Sequence, residues 1–356
     1  MFVLSLSALH PCVAQGCVSE LEQVFAELTG ATILCPRSAA EFVETVAGLK
    51  PAQDDLFVAC LSINDVIGLF GRANGWHRPF RRVFCYVFDA WVNEYEVAKS
   101  ALRHRVSPYS RVIRQLDHLF VSNPDSVQQY EAVYRIPVTY VPLAADVLQF
   151  GSLQPQRPIT VNAYGRQHPP HVEILSRTFN SNRSSRALHH TDHVAIGAVS
   201  SLRQHRAHFW KLLSMSCITL AYDPVAVDPG SRSFPFSFIG QRWFEGLAAG
   251  CVVVGIRPNC DEAARLLHWK DATLEAPREP EDFLEFIDGL LADGSRLARI
   301  RVSNHRQMLL EHDWGYRVAG MLAVVGVDAP PAWANRRARL LAALPRAHDE
   351  AAVTHS

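Results

Sequence analysis

The sequence has no excess charge of either sign and no long apolar run. Its 35 basic and 35 acidic residues give a formal net charge of zero, so its overall charge attracts neither nucleic acid nor an anionic membrane. No uninterrupted apolar stretch reaches the ~18 residues that a membrane-spanning helix needs. These absences disfavour nucleic-acid-binding and transmembrane proteins.

The chain also lacks paired cysteines and a signal-peptide pattern. Its cysteines include no C-x-x-C pair, and several lie within apolar runs, which favours buried reduced thiols over a disulfide framework. The amino terminus has no basic n-region, and His10-Pro11 interrupts it before an apolar core can develop. We therefore expect a first strand and loop at the amino terminus, and a cytoplasmic protein.

A globular composition and enough length for two domains are present. Apolar residues make up 48% of the 356 residues and charged residues 20%, which is typical of soluble proteins. Residues 151–158 are rich in proline, glycine and polar side chains, as expected of a linker. We predict an amino-terminal domain at 1–150, a carboxyl-terminal domain at 151–335, and a final helix and tail at 336–356 that can pack back on the first domain.

Strands and helices alternate in both halves. In the first half, Ser19 is positioned to cap an amphipathic helix that Gly30 ends, and short apolar strands lie on either side of it. The order β-α-β-α-β implies a parallel sheet covered on both faces. The second half opens in the same way, so we predict an α/β protein of two doubly wound domains.

The segment 236–267 combines a helix, a glycine, an apolar strand and a polar loop. If QRWFEGLAAG is helical, Arg242 and Glu245 share one face, and Gly250 is positioned to end the helix. The run CVVVG that follows is typical of a buried parallel strand. Glu245 would then lie where a helix meets the carboxyl ends of a parallel sheet, which is the usual ligand crevice of such domains.

Arg242 and Glu245 have the chemistry of a nucleotide-sugar pocket. A carboxylate can accept hydrogen bonds from both hydroxyls of a ribose, and an arginine one turn earlier can bind a diphosphate through two parallel hydrogen bonds. The alternative is an amphipathic helix with an ordinary i, i+3 salt bridge. The two residues by themselves do not decide between these interpretations.

The run RWFEGLAAGCVVVG resembles the carboxyl-terminal signature of group-1 glycosyltransferases of GT-B fold, in particular the CgeB-like subgroup with the pattern R-x-F-E-x-x-A-x-G. In this resemblance Glu245 matches the glutamate that binds the donor ribose, and Arg242 matches the arginine of the subgroup. Many group-1 enzymes carry another glutamate eight positions earlier, where this chain has Ser237. The resemblance implies two facing Rossmann-like domains with a cleft between them.

Gly165 and Arg166 occupy the first strand-to-helix turn of the second half. The glycine lets the backbone approach a ligand, and the arginine can bind phosphate. They resemble the family's Gly-Arg element that contacts the donor diphosphate, so we predict a donor site of Gly165, Arg166, Arg242, Glu245 and Gly246. The alternative is an ordinary turn with a surface arginine.

Asp89 ends an apolar strand whose carboxyl end should open toward the same cleft. It is a candidate acceptor of a hydrogen bond from a substrate hydroxyl, or a catalytic base if the reaction inverts the anomeric configuration. The alternative is that Asp89 caps the segment that follows. Together with Arg166 and Arg242, which would stabilise the departing diphosphate, Asp89 forms the predicted catalytic set.

Histidines crowd the stretch 168–208, so metal binding must be considered. HHTDH supplies nitrogen and oxygen ligands but lacks the H-E-x-x-H spacing, and no cysteine lies near enough to complete a zinc site. The resemblance also implies donor chemistry without a divalent ion, because basic side chains and helix dipoles can neutralise the diphosphate. We expect neither metal nor cofactor; His205, Arg206 and His208 could line the phosphate site or lie on a solvated helix face.

The resemblance implies a glycosyltransferase of glycan biosynthesis that moves a sugar from a nucleotide-diphosphate sugar to a hydroxyl, with retention and without a metal. The expected acceptor is a glycan, a lipid-linked molecule or a small molecule; no nucleic-acid partner and no transmembrane segment are expected. Two alternatives stay open. One is a noncatalytic nucleotide-sugar-binding GT-B protein, which Ser237 favours, and the other is a GT-B sugar-nucleotide epimerase, which would need further acid and base groups.

Overall fold

The computed structural model describes residues 1–10, 12–49, 53–70, 76–90, 108–181, 184–191, 200–227 and 236–345. Within these ranges the chain forms two lobes, each with one parallel sheet. None of the described helices is both long and apolar enough to cross a lipid bilayer.

The first lobe is built on a parallel sheet with helices packed on it. Its strands are β1 Phe2–Leu4, β2 Thr32–Leu34, β3 Asp55–Cys60, β4 Arg82–Val87, β5 His118–Val121 and β6 Val138–Tyr140. Its helices are α1 Gln15–Thr29, α2 Ala39–Leu49, α3 Ile63–Phe70, α4 Pro108–Ile113 and α5 Val127–Tyr134, with a 3₁₀ turn at Pro124–Ser126. The strand order is β2-β1-β3-β4-β5-β6. The central strands are buried along most of their length because the helices cover the sheet.

The second lobe repeats this plan after the short connecting helix α6 Val147–Phe150. Its strands are β7 Ile159–Ala163, β8 Leu188–His190, β9 Ser216–Leu220, β10 Val252–Gly255 and β11 Leu274–Glu275, in the order β11-β10-β9-β7-β8. Its helices are α7 Pro169–Phe179, α8 Leu202–Ser214, α9 Pro224–Val227, α10 Gln241–Ala248, α11 Asp261–Leu266, α12 Pro280–Ala292 and α13 Gly294–Glu311. The helices α14 Trp314–Val324 and α15 Pro331–Ala342 follow.

Helices α14 and α15 join the two lobes by packing on α1. At the start of α14, the ring of Trp314 lies 5.5 Å from that of Phe88 in the first lobe. In α15, the buried guanidinium of Arg336 contacts Asp146 at 2.6 Å and Asp313 at 2.7 Å. Because both carboxylates come from the connection between the lobes, the side of the molecule behind the cleft is held together by buried charge.

The structure corrects one sequence prediction in α1. The helix begins at Gln15, so Ser19 lies inside it and does not cap it. The reason is that Cys17 and Val18 are buried, which extends the apolar face of the helix upstream of the cap signal. Gly30 ends the helix in the left-handed conformation, with φ at +68°, as the sequence predicts.

Two elements are not predicted from the sequence, namely α3 and the edge strand β8. Helix α3 does have an amphipathic pattern, with buried apolar residues three and four positions apart. In β8 only Leu188 is buried, while His189 and His190 are partly or fully exposed. A strand of three residues at the edge of a sheet is too short to show a period.

Gly246 lies on the face of α10 that packs on the sheet. A Cβ atom there would lie 2.5 Å from Cγ2 of Thr219 in β9 and 3.0 Å from Cγ2 of Val253 in β10. The absence of a side chain therefore allows α10 to approach the sheet closely. Gly246 therefore sets the distance between the sheet and the helix that carries Glu245.

We expect Gly246→Ala to lower the free energy of unfolding by about 1–3 kcal/mol, because the added methyl group overpacks this contact. Urea unfolding would show the loss as a lower midpoint. Gly289→Ala in α12 is the matched control, since nothing lies within 4 Å of a Cβ added there, and it should be neutral or stabilising by up to ~1 kcal/mol. Equal effects of the two substitutions would contradict the packing role of Gly246.

Candidate functional site

The turn after β7 brings Gly165 against the side chain of Arg242. Gly165 has φ at +65°, and a Cβ atom at this position would lie 2.8 Å from Nε of Arg242. Any other residue would therefore strain the backbone and displace the arginine. The glycine allows α10 to place a guanidinium directly over the strand-to-helix turn.

Arg166 and Arg242 place two positive charges at this turn. Nη1 of Arg242 donates a hydrogen bond to the carbonyl oxygen of Arg166. Burial lowers the pKa of Arg242, and the neighbouring charge of Arg166 lowers it further, against the opposing effect of Glu245. An anion bound by both guanidiniums would relieve their mutual repulsion, so the turn suits a diphosphate.

Glu245 is buried, and both of its carboxylate oxygens accept hydrogen bonds from the protein. Oε1 accepts from Nη2 of Arg206 at 2.7 Å, and Oε2 accepts from the hydroxyl of Tyr164 at 3.1 Å. Only 3% of Glu245 is exposed. Glu245 therefore lies beside the Gly165 turn, but a ribose hydroxyl reaches it only by joining or displacing one of these two partners.

Arg206 on α8 connects Glu245 to the first lobe. Its Nε atom donates to Oε1 of Glu20 on α1 at 2.7 Å, and Nε1 of Trp210 donates to the same oxygen at 2.7 Å. A Cβ atom at Gly16 would clash with the stem of Arg206. Burial acts to lower the pKa of Arg206, but the charges of Glu20 and Glu245 outweigh it and raise the pKa. Burial raises the pKa of Glu20 against the charge of the arginine.

Asp89 lies just after β4, on the first-lobe side of the cleft. Its side chain reaches solvent, yet the surrounding protein raises the pKa of its carboxyl group to about 6, and the charge of Arg166 in the other lobe opposes this rise. Asp89 therefore lies within electrostatic range of the Gly165 turn. The alternative, in which Asp89 caps the next segment, concerns residues 91–107, which lie outside the described ranges.

His171, the buried histidine among the described residues of the stretch 168–208, makes structural contacts. The ring of His171 lies between the hydroxyl of Tyr222, at 2.8 Å, and the carbonyl oxygen of Arg278, at 3.0 Å. Within the described ranges no group of three metal-ligating side chains converges. His193, in the histidine-rich stretch, lies outside those ranges.

Ser237 contacts a carboxylate that the sequence analysis did not identify. Its hydroxyl donates to Oδ2 of Asp223 at 2.6 Å. Asp223 lies just beyond β9, at the carboxyl edge of the sheet, and is 3% exposed. A carboxylate is therefore present beside position 237 although the residue at that position is a serine.

The sequence contained usable signals for these additional residues. Glu20 shares the apolar face of α1 with Leu21 and Val24, and a carboxylate on a buried face needs a partner. Asp223 directly follows a strand, which is the same signal that identifies Asp89. Arg206 does not lie on a solvated helix face. Its guanidinium lies between the carboxylates of Glu20 and Glu245.

Comparisons with known proteins relate this arrangement to glycosyltransferases. Residues 183–323 match the family described as glycosyl transferase-like. The structure of HepE from Anabaena, in complex with UDP-glucose, gives a TM-score of 0.54 at 11% identity and covers 91% of this chain and 99% of that chain. The β-glucosyltransferase of phage T4 gives a TM-score of 0.50 at 11% identity and covers 92% of this chain and 99% of that chain. No curated protein matches the chain in sequence.

These similarities confirm two predictions. The fold of the chain is that of the GT-B enzymes, with two facing α/β lobes. The resemblance to glycosyltransferases is also confirmed, since residues 183–323 match a family described as glycosyl transferase-like. The matched segment includes Arg206, Arg242 and Glu245, and it begins after the Gly165 turn.

We expect Arg206→Met to lower the free energy of unfolding by about 3–5 kcal/mol, because it leaves Glu20 and Glu245 as buried carboxylates without their cation. The deficit should shrink as the pH falls and Glu20, whose pKa is raised by burial, takes up a proton. Urea unfolding at several pH values measures both effects. Arg203→Met, at an exposed position of the same helix, should change stability by no more than about 0.5 kcal/mol; a similar loss there would contradict the role of Arg206.

Proposed function

We propose that this protein transfers a glycosyl group from a nucleotide-diphosphate sugar to an acceptor hydroxyl in the cleft between the lobes. The observation that carries the proposal is the meeting of Arg242 and Glu245 at the Gly165 turn, with Arg166 beside them and Asp89 opposite. HepE, which has a similar fold, was solved with UDP-glucose. That likeness supports a nucleotide sugar as the donor.

Arg166 and Arg242 bind the diphosphate of the donor. Negative charge grows on the diphosphate as the glycosidic bond breaks, so contacts from two fixed guanidiniums strengthen in the transition state and raise the rate. Because these side chains supply the positive charge, we propose donor chemistry that does not depend on a divalent ion.

Glu245 binds the ribose, and Arg206 and Tyr164 orient it. A carboxylate offers about four acceptor positions, of which the two protein donors use two. The ribose hydroxyls would take the others once the side chains around Glu245 admit the ligand.

Asp89 binds the acceptor hydroxyl from the first lobe. In a retaining reaction, which the resemblance implies, the departing diphosphate takes the acceptor proton and Asp89 positions the acceptor. In an inverting reaction Asp89 takes the proton itself, and a pKa near 6 leaves it ionised at neutral pH. The anomeric configuration of the product decides between the two.

Binding of nucleoside diphosphates tests the donor site directly. We expect the protein to bind one member of a panel of UDP, GDP, ADP and dTDP, and Arg242→Ala to weaken that binding roughly ten- to a hundredfold through the loss of a charge-assisted contact. Titration calorimetry measures both. Arg177→Ala, at an exposed position of α7, should bind as the unchanged protein does. Failure to bind any nucleotide would refute the donor site, whereas binding without transfer or hydrolysis of the nucleotide sugar would leave a noncatalytic binding protein.

We expect Asp89→Asn to lower kcat by about 100-fold or more if Asp89 is the base, with the affinity for nucleoside diphosphate unchanged. In the unsubstituted protein, kcat/KM should rise as the pH rises through about 6, where Asp89 loses its proton. Steady-state rates against pH and the anomeric configuration of the product, from NMR, provide the measurement. If the product keeps the anomeric configuration and Asp89→Asn does not lower kcat, then Asp89 is not the base and the departing diphosphate takes the proton.

A further inference from the structure

Asp223 is a buried carboxylate held rigidly at the carboxyl edge of the second sheet. Its backbone N–H donates to the carbonyl oxygen of Ile256 at 2.8 Å. Oδ2 accepts from the hydroxyl of Ser237 at 2.6 Å, and Oδ1 accepts from the backbone N–H of Val225 at 3.3 Å. Two hydrogen bonds thus hold the side chain and one holds the backbone, all from residues of its own lobe.

No cation balances this carboxylate within the part of the chain that the structure describes. Neither an ion pair nor an arginine or lysine hydrogen bond involves Asp223 there, and burial raises its pKa. A buried carboxylate without a cation reduces stability. Asp223 also caps α9, since Oδ1 accepts from the backbone N–H of Val225, and its place at the ligand edge of an α/β sheet makes it a candidate for hydrogen bonds to a ligand.

The position of Asp223 relative to the donor site indicates which part of a donor it meets. Ser237 lies in the non-helical stretch that leads into α10, eight residues before Glu245, with Arg242 between them. Strand β9, which Asp223 follows, lies between β7 and β10. Its end is therefore about 4.8 Å from the end of β7, where the Gly165 turn begins.

A nucleotide sugar has the same linear order as this segment. If Glu245 takes the ribose and the two arginines take the diphosphate, the next group of the donor is the sugar that is transferred. That sugar arrives at the Ser237 end of the segment. Asp223 is the carboxylate fixed there.

A second carboxylate borders this end of the segment. Glu262 in α11 lies near the backbone N–H of Ile239, and its Oε1 atom accepts a hydrogen bond from the hydroxyl of Tyr140 in the first lobe. Its Oε2 atom is buried without a hydrogen-bond partner. The segment 236–240 is therefore flanked by two acidic side chains, one of which has an unused acceptor atom.

We propose that Asp223, oriented by Ser237, accepts hydrogen bonds from hydroxyl groups of the transferred sugar and so determines which donor sugars are used. This inference rests on the proposed function. A carboxylate accepts from two neighbouring hydroxyls at once, as it would from a ribose. Its negative charge also repels a second carboxylate, so the site takes neutral sugars in preference to uronic acids.

The test compares binding of UDP, UDP-glucose and UDP-glucuronic acid to the full-length protein by titration calorimetry. If the nucleotide panel selects another base, the corresponding conjugates of that base are used. Asp223→Asn should weaken binding of the glucose conjugate by about tenfold or more and leave binding of the free diphosphate unchanged. Asp223→Asn should also reduce the difference in affinity between UDP-glucose and UDP-glucuronic acid, because the asparagine does not repel the carboxylate of the uronic acid. Ser237→Ala should give the same pattern with a smaller loss.

Asp261→Asn, at an exposed acidic position of α11, is the matched control and should leave all three affinities unchanged. Equal losses for UDP and UDP-glucose in Asp223→Asn would show a structural role and overturn the inference, as would unchanged binding of UDP-glucose. If the unsubstituted protein binds no nucleoside diphosphate, the proposed function itself fails and this inference fails with it. If the nucleoside diphosphate binds but the variants bind UDP-glucose equally well, the inference about Asp223 is wrong and the proposed donor site still stands.

Discussion

The guanidinium of Arg206 is shared between a carboxylate of each lobe, and much of the site depends on this buried charge. It contacts Glu20 and Glu245 at 2.7 Å each, and the ring of Phe209 lies 4.5 Å from its central carbon. A buried carboxylate is costly without its cation, and Oε2 of Glu20 is already buried without a hydrogen-bond partner. The contact therefore specifies one relative position of α1 and α8, and with it the position of the residue proposed to bind the ribose.

Close backbone approaches, more than side-chain contacts, set the geometry around this charge. The stem of Arg206 passes over Gly16, the guanidinium of Arg242 passes over Gly165, and α10 reaches the sheet at Gly246. Each of these places excludes a Cβ atom. Because these three glycines have no side chain, Arg206, Arg242 and the helix that carries Glu245 can lie directly against the backbone.

The sequence predicts the fold well because the apolar strands are short, buried and separated by amphipathic helices. It also predicts Arg242, Glu245 and Gly165 as site residues, and the structure places these three close together. It cannot show that Glu245 pairs with Arg206, because that contact joins residues 39 positions apart through a helix whose sequence is largely polar. Nor can it show Asp223 beside Ser237, since the loop between them has no periodic pattern. Local patterns predict elements, whereas pairings between elements come from packing.

The ends of the described chain meet, since α1 is covered by α14 and α15, and Arg336 closes that contact with Asp146 and Asp313. Helix α1 therefore depends on helices from the far end of the chain for part of its cover. A cut at residues 151–158 would remove that cover, so we expect the amino-terminal half to be less stable alone than in the whole protein.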